Sequence, residues 1–230
     1  GFVKVLSVNI PYTVKKIKRN SFENNYRLRE IQIPNEVISI GDKAFAGCHG
    51  LKNLSLPSKL NYVGSFEFCK NIKSISLPDS TKDTADGMFT GCEMLTSVKL
   101  PRKLKAIKAY DFADCRKLTK LNIPVTVKVV YMSAFAGSGL KKIVLPSNVQ
   151  KIRNGNDGQK VFEYIKGIGY PTKNLRVIEI HSKKVKSIQK NSFSGLSSKV
   201  VIKVPKSKKK KYTKMLRKSG LSKKVKICNL

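Results

Sequence analysis

A seven-residue phrase recurs nine times along this chain: an apolar residue, two variable ones, an aliphatic, one variable, a second aliphatic and, in most copies, proline. It reads VLSVNIP from Val5, LREIQIP from Leu28, LKNLSLP from Leu51, IKSISLP from Ile72 and LTSVKLP from Leu95. It continues as LTKLNIP from Leu118, LKKIVLP from Leu140, LRVIEIH from Leu175 and KVVIKVP from Lys199. Successive starts lie 23, 23, 21, 23, 23, 22, 35 and 24 residues apart. A period near that length is the signature of a solenoid in which each repeat is one coil. Such a fold offers a long ordered surface in place of a closed core that could hide a reactive centre.

The fourth and sixth positions of the phrase alternate with polar or variable residues, as in Ile31 with Ile33 and Ile75 with Leu77. Strict alternation over so few residues means a half-buried strand. Stacked coil on coil, these strands form a parallel sheet along one side, with inward ladders of Leu, Ile and Val. Proline at position seven has no N–H to give to a ladder, so it ends the strand. A second apolar pair spaced by three follows, such as Val14 with Ile17 and Leu104 with Ile107. Next comes a short segment with one phenylalanine: Phe22, Phe45, Phe66, Phe89, Phe112, Phe135 and Phe193. One buried aromatic per coil supplies much of the apolar area, at roughly 25 cal/mol per Å².

The full coil LREIQIPNEVISIGDKAFAGC resembles the BspA-type leucine-rich repeats, and the likeness runs from residue 5 to 205. The resemblance implies a right-handed leucine-rich repeat solenoid, β-rich, with a parallel sheet on one face and short turns or helical turns on the other. It also implies bacterial proteins, secreted or attached to the cell surface, that adhere to other molecules. An extracellular or cell-surface location is therefore the expectation.

The pattern breaks in three places. The coil from Ile72 carries Thr81 and Thr84 where Val and Ile are expected, which predicts the softest point of the stack. The coil from Leu140 is longer by about a dozen residues, an insertion at 153–173 in which Phe162 takes the usual Phe slot. Per-repeat insertions map to loops, often at binding faces. After Pro205 the phrase stops at KSKKKKYTKMLRKSGLSKKVKI. Ser207 reads as a helix cap and Gly220 as its end, with Tyr212, Met215, Leu216 and Ser219 on one face. This helix is the expected lid over the last coil, with a short strand after it at Val225 and Ile227. The organisation is thus a solenoid of about nine coils over 2–205 and a basic C-terminal cap over 206–230. The chain opens inside a coil, so more protein is expected to have preceded Phe2.

Charge is the second constraint: 47 Lys plus Arg against 14 Asp plus Glu. From His181 to Leu230 there are 17 basic residues and no acidic one. Such a field attracts polyanions. Only eight of the 47 are Arg, the residue suited to bidentate base and phosphate contacts, and no nucleic-acid motif or stacking platform is present. An anionic wall polymer or acidic glycan fits better than nucleic acid, with Lys206, Lys208, Lys209, Lys210 and Lys211 as the contacts. The other reading of these lysines is solvation of the cap.

Cys48, Cys69, Cys92 and Cys115 hold one coil position and read as a buried row of unpaired thiols; Cys228 has no repeat role. No clustered C-x-x-C pair marks a metal site. His49 and His181 lie far apart in the repeat order, without a nucleophile and carboxylate at a recognised spacing. The acids are scattered singly, and there is no phosphate-cradling glycine loop. No run of eighteen apolar residues spans a membrane. The reading is a non-catalytic, monomeric adhesion module without cofactors. It binds a host or cell-surface protein or glycan through the outward sheet residues Asn53, Ser55, Ser76, Lys99, Lys120, Asn122 and Lys142. The rival reading is polyanion binding through the lysine-rich C-terminal third.

Overall fold

The computed structural model describes residues 5–155 and 174–230. Phe2, Phe162 and most of the insertion therefore lie outside the described residues. Strands are numbered in chain order. Those of the repeated phrase are β1 (Ser7–Asn9), β3 (Glu30–Gln32), β6 (Ser74–Ser76), β8 (Ser97–Lys99), β11 (Lys142–Leu145), β13 (Val177–Ile180) and β15 (Val201–Val204). The second apolar pair of each coil gives β2 (Lys16–Ile17), β4 (Ser39–Ile40), β5 (Tyr62–Val63), β7 (Asp83–Thr84), β9 (Ala106–Ile107), β10 (Val129–Tyr131), β12 (Lys151–Arg153) and β14 (Ser187–Ile188). Helix α1 (Lys209–Lys218) and β16 (Lys226–Asn229) end the chain.

All pairings are parallel and join equivalent positions of neighbouring coils, as in Val8↔Ile31, Ile75↔Val98 and Ile178↔Ile202. The molecule is a parallel-sheet solenoid of about nine turns. The second apolar pairs also stack into ladders, β2-β4-β5-β7 and β9-β10-β12-β14. Most coils thus carry strand on both long sides, and the short strands of the second side join into ladders of their own.

The phrase sheet is not continuous. Its ladders are β1-β3, β6-β8 and β11-β13-β15-β16. The coil from Leu51 contributes only the bridge Asn53↔Ser74, and the coil from Leu118 no strand. These are the two coils shorter than 23 residues. The coil from Leu51 loses its residues beside Gly64, which lies so close to Gly41 that a side chain there would meet the Gly41 carbonyl.

Between the strands runs a column of phenylalanines. Phe22, Phe45, Phe66, Phe89, Phe112 and Phe135 stack with successive ring centroids 5.3, 5.8, 5.9, 5.8 and 6.4 Å apart. All but Phe22, which is half-buried at the end of the column, are fully enclosed. Two residues after each of the seven repeat phenylalanines in the described coils the backbone is left-handed: Asn24, Gly47, Phe68, Gly91, Asp114, Gly137 and Gly195, with φ from 55 to 73°. The turn that leaves the core needs that conformation, which explains the recurring glycine, suits Asn24 and Asp114, and makes Phe68 the costly exception.

Beside the column, each repeat thiol donates to the carbonyl of the phenylalanine one coil back. Cys48 reaches Phe22 and Cys69 reaches Phe45 at 3.0 Å; Cys92 reaches Phe66 and Cys115 reaches Phe89 at 3.2 Å. The thiols are therefore rungs of the core as well as small apolar fillers.

The second ladder breaks between β7 and β9, in the coil of buried Thr81 and Thr84. At earlier junctions the backbone N–H after the strand donates to the preceding coil, as from Gly64 to Ile40 and from Ala85 to Val63. Here the Lys108 N–H donates to the Asp111 carboxylate at 2.7 Å instead. The Lys108 ammonium takes over the Thr84 carbonyl at 2.6 Å and reaches Asp83 at 3.0 Å. Asp111 also accepts the Met88 N–H at 3.4 Å. Burial pushes its carboxyl up to about 8, against the pull of those two N–H groups.

Ser207 does not cap α1. It lies inside a 3-10 turn, Lys206–Lys208, and the helix has neither a side-chain cap nor an acidic residue in its first turn. Pro205 starts that turn early and moves the cap position to Lys208. At the other end Gly220, with φ 89°, lets the chain turn back so that the Leu221 N–H reaches the Leu216 carbonyl at 3.2 Å. Tyr212, Leu216 and Ser219 face inward and are buried, Met215 partly so.

Candidate binding surface

Because side chains alternate across a strand, the third and fifth positions of each phrase point outward. Asn53, Ser55, Ser76, Lys99, Lys120, Asn122 and Lys142 are all exposed. Four of them sit in ladder register with a neighbouring coil: Asn53 beside Ser74, Ser76 beside Lys99, and Lys142 beside Val177. Lys120 and Asn122 occupy a coil whose phrase forms no strand, so they stand outside the ladders. Through this half the surface is small, polar and nearly free of acid.

Toward the C-terminal end the chemistry changes. Registers of β11, β13, β15 and β16 set Lys142, Val177, Val201 and Lys226 in one row, and Val144, Glu179, Lys203 and Cys228 in the next. Val144, Val177, Val201 and Cys228 are half-buried on this outward face. Glu179 is only 9% exposed. One of its oxygens meets the Lys142 ammonium at 2.9 Å and that of Lys203 at 3.5 Å, while the other accepts from His181 Nε2 at 3.0 Å. The His181 hydrogen bond, backed by the two lysines, pulls the carboxyl down to about 2 against the cost of burial. The sequence had shown Glu179 and His181 only as isolated residues. The signal that joins them is positional: they are the fifth and seventh residues of one phrase, with lysines at outward positions of the coils on either side.

Lys206, Lys209, Lys210 and Lys211 are exposed and Lys208 half-buried, around the first turn of α1. His49 does structural work: its Nδ1 lies 2.6 Å from the Phe68 carbonyl and its ring packs on Tyr26 at 5.1 Å. Among the described residues no group of three or more His, Cys, Asp or Glu side chains converges as metal ligands. Among them, too, no helix is long and apolar enough to cross a membrane.

No curated protein matches this chain. Among solved structures it is similar to a leucine-rich repeat protein from Bacteroides ovatus, at 27% identity and TM-score 0.62, over 98% of this chain and 63% of that one. It is also similar to a leucine rich cell surface protein from Faecalibacterium prausnitzii, at 20% identity and TM-score 0.67, over 99% of this chain and 66% of that one. A leucine-rich repeat protein from T. pallidum follows at 24% identity and TM-score 0.52, over 59% of this chain and 77% of that one. The chain thus spans about two thirds of the length of the first two. Proteins built from this repeat are typically non-catalytic binding modules. The model of the BspA type leucine rich repeat region matches residues 2–94, 63–168 and 163–229 in six copies, and the chain belongs to that family.

Proposed function

We propose that this solenoid is a recognition module at the cell surface or outside the cell, holding a protein or glycan partner on the outward face of the phrase sheet. The observation that carries the reading is the chemistry of that face. A field of small polar side chains (Asn53, Ser55, Ser76) grades into half-buried valines beside a carboxylate held by two lysines and a histidine. Side chains on a rigid ladder lose little freedom when a partner docks, so modest contacts suffice. The Faecalibacterium relative, a cell surface protein, supports the location.

The test is a glycan and extracellular-protein binding panel run at two salt concentrations. Variants N53A, S76A, K99A and N122A, each with an unchanged circular dichroism spectrum, are expected to weaken the bound partner about tenfold or more. The partner is expected to persist at moderate salt. A partner indifferent to all four substitutions overturns the reading.

A further inference from the structure

The fold joins two lysine runs that lie far apart in the chain, His181–Lys186 and Lys206–Lys211. The joint is Tyr212, whose ring is fully buried. Its hydroxyl donates to the Ser182 carbonyl and accepts the Val185 N–H, both at 3.0 Å. Ser182 is held in turn by its own hydroxyl, which donates to the Val149 carbonyl at 2.6 Å. The first turn of α1 is therefore pinned against the turn that carries Lys183 and Lys186. Between the runs lies an open cleft of about 610 Å³ lined by His181, Lys183, Pro205, Lys206, Ser207 and Leu230.

This corner lacks compensation. Among the described residues, the only basic side chains from His181 onward that meet a carboxylate are His181 and Lys203, both on Glu179. Lys183, Lys186, Lys206, Lys209, Lys210 and Lys211 are all exposed. The helix dipole makes the local cost higher, because its N-terminus carries partial positive charge and repels cations. Lysines sit around the start of α1, where an acidic residue or a side-chain cap would stabilise it, and neither is present. A local rule broken without compensation marks a functional site more often than a structural one.

We propose that this cleft binds a flexible polyphosphodiester, gripping successive phosphates between the two runs. The chemistry narrows the ligand. Lysine ammonium groups act as point charges suited to phosphate oxygens and do not impose the planar fork of arginine. Among the described residues the corner exposes no Phe, Tyr or Trp on which a base could stack: Tyr212 is sealed in the core, and the His181 ring is held against Glu179 through Nε2. The apolar face of α1 is likewise spent on the last coil, so the helix has nothing to insert into a bilayer. The ligand is read by its phosphate spacing and not by its bases or its lipid. The site meets the sheet face at His181, which lines the cleft and bonds Glu179, while Asn53 and Asn122 lie in distant coils, so substitutions there report on the sheet face alone.

The experiment measures affinity of the full chain for four probes: poly(glycerol phosphate), inorganic polyphosphate, a single-stranded oligonucleotide, and phosphatidylglycerol vesicles. The first three are expected to bind alike per phosphate, without dependence on base sequence, and the vesicles at least tenfold more weakly. About four phosphate contacts predict a loss of roughly 50-fold between 50 and 200 mM salt. Lys183→Gln with Lys186→Gln, and separately Lys208, Lys209, Lys210 and Lys211 all→Gln, are each expected to weaken binding about tenfold. The combined variant should fall short of the product of the two losses. A control with Lys15, Lys18, Lys52 and Lys59 all→Gln, all exposed in the N-terminal coils, is expected to change affinity less than threefold. Equal losses from the control show that net charge alone binds, and overturn the proposal. Tighter binding to vesicles, or dependence on base sequence, overturns the ligand assignment. N53A and N122A leave this binding unchanged if the two surfaces are separate.

Discussion

Phe112→Ala tests the phenylalanine column at its most enclosed point. The side chain has no exposed surface, and its ring sits between Phe89 at 5.8 Å and Phe135 at 6.4 Å. Truncation removes the buried ring, leaves a cavity that neighbouring coils can fill only in part, and strands two ring faces. Losses of this kind cost about 3–5 kcal/mol, of which each lost aromatic contact is about 0.5–1.5 kcal/mol. Phe22 is the internal control. It stacks on Phe45 alone among the described rings and is half-buried, so Phe22→Ala should cost roughly half as much. Thermal and urea unfolding followed by far-UV circular dichroism give the comparison. At about 2–4 °C per kcal/mol for a chain of this size, Phe112→Ala should lower the midpoint by about 10 °C. Because coils contact only their neighbours, amide exchange should loosen first in the coils from Ile72 to Leu118. A midpoint unchanged within a degree, or a loss no larger than that of Phe22→Ala, refutes the stacking argument.

Three further outcomes follow from the interior. In the native protein an alkylating reagent should label Cys228, which is partly exposed. It should spare Cys48, Cys69, Cys92 and Cys115, whose thiols burial pushes up, that of Cys48 to about 12. In denaturant without reductant all five should label, and mass spectrometry showing a protected pair would contradict the thiol-to-carbonyl rungs. Asp111 should make stability fall as pH rises. The unfolded chain releases this proton near the ordinary value of 3.8 and the folded one near 8, so its contribution is full below about pH 4 and lost through pH 8. Asp111→Asn should flatten the urea midpoint between pH 5 and 9, and a slope identical to the parent's counts against the assignment. Tyr212→Phe leaves the Val185 N–H without its acceptor and should cost about 1–3 kcal/mol in urea unfolding; a neutral result would show that the cap is not held through that hydroxyl.

The repeat made most of this legible in advance. Alternation at positions four and six places Ile31, Ile75 and Ile178 inward because side-chain direction follows strand period wherever one face is buried. The phenylalanine column, the cysteine row and the glycines that follow four of the seven phenylalanines come from equal position in equal coils. The sequence also marked the helix and its end at Gly220. What it left open depends on contacts between coils rather than within them. A second ladder arises because a pair of residues too short to hold as a strand alone gains partners above and below. The breaks at the coils from Leu51 and Leu118 exist only in the stack, where a strand is defined by its neighbours. Asp111 and Lys108 exchange backbone for side-chain partners across a coil boundary, and no local pattern announces that. The Glu179 cluster and the corner where Tyr212 pins two lysine runs together likewise exist only once distant segments meet. Periodicity determined which residues face in and which face out; the stacking of coils decided which outward residues became neighbours, because charge and hydrogen-bond partners act over a few ångströms of space and not along the chain.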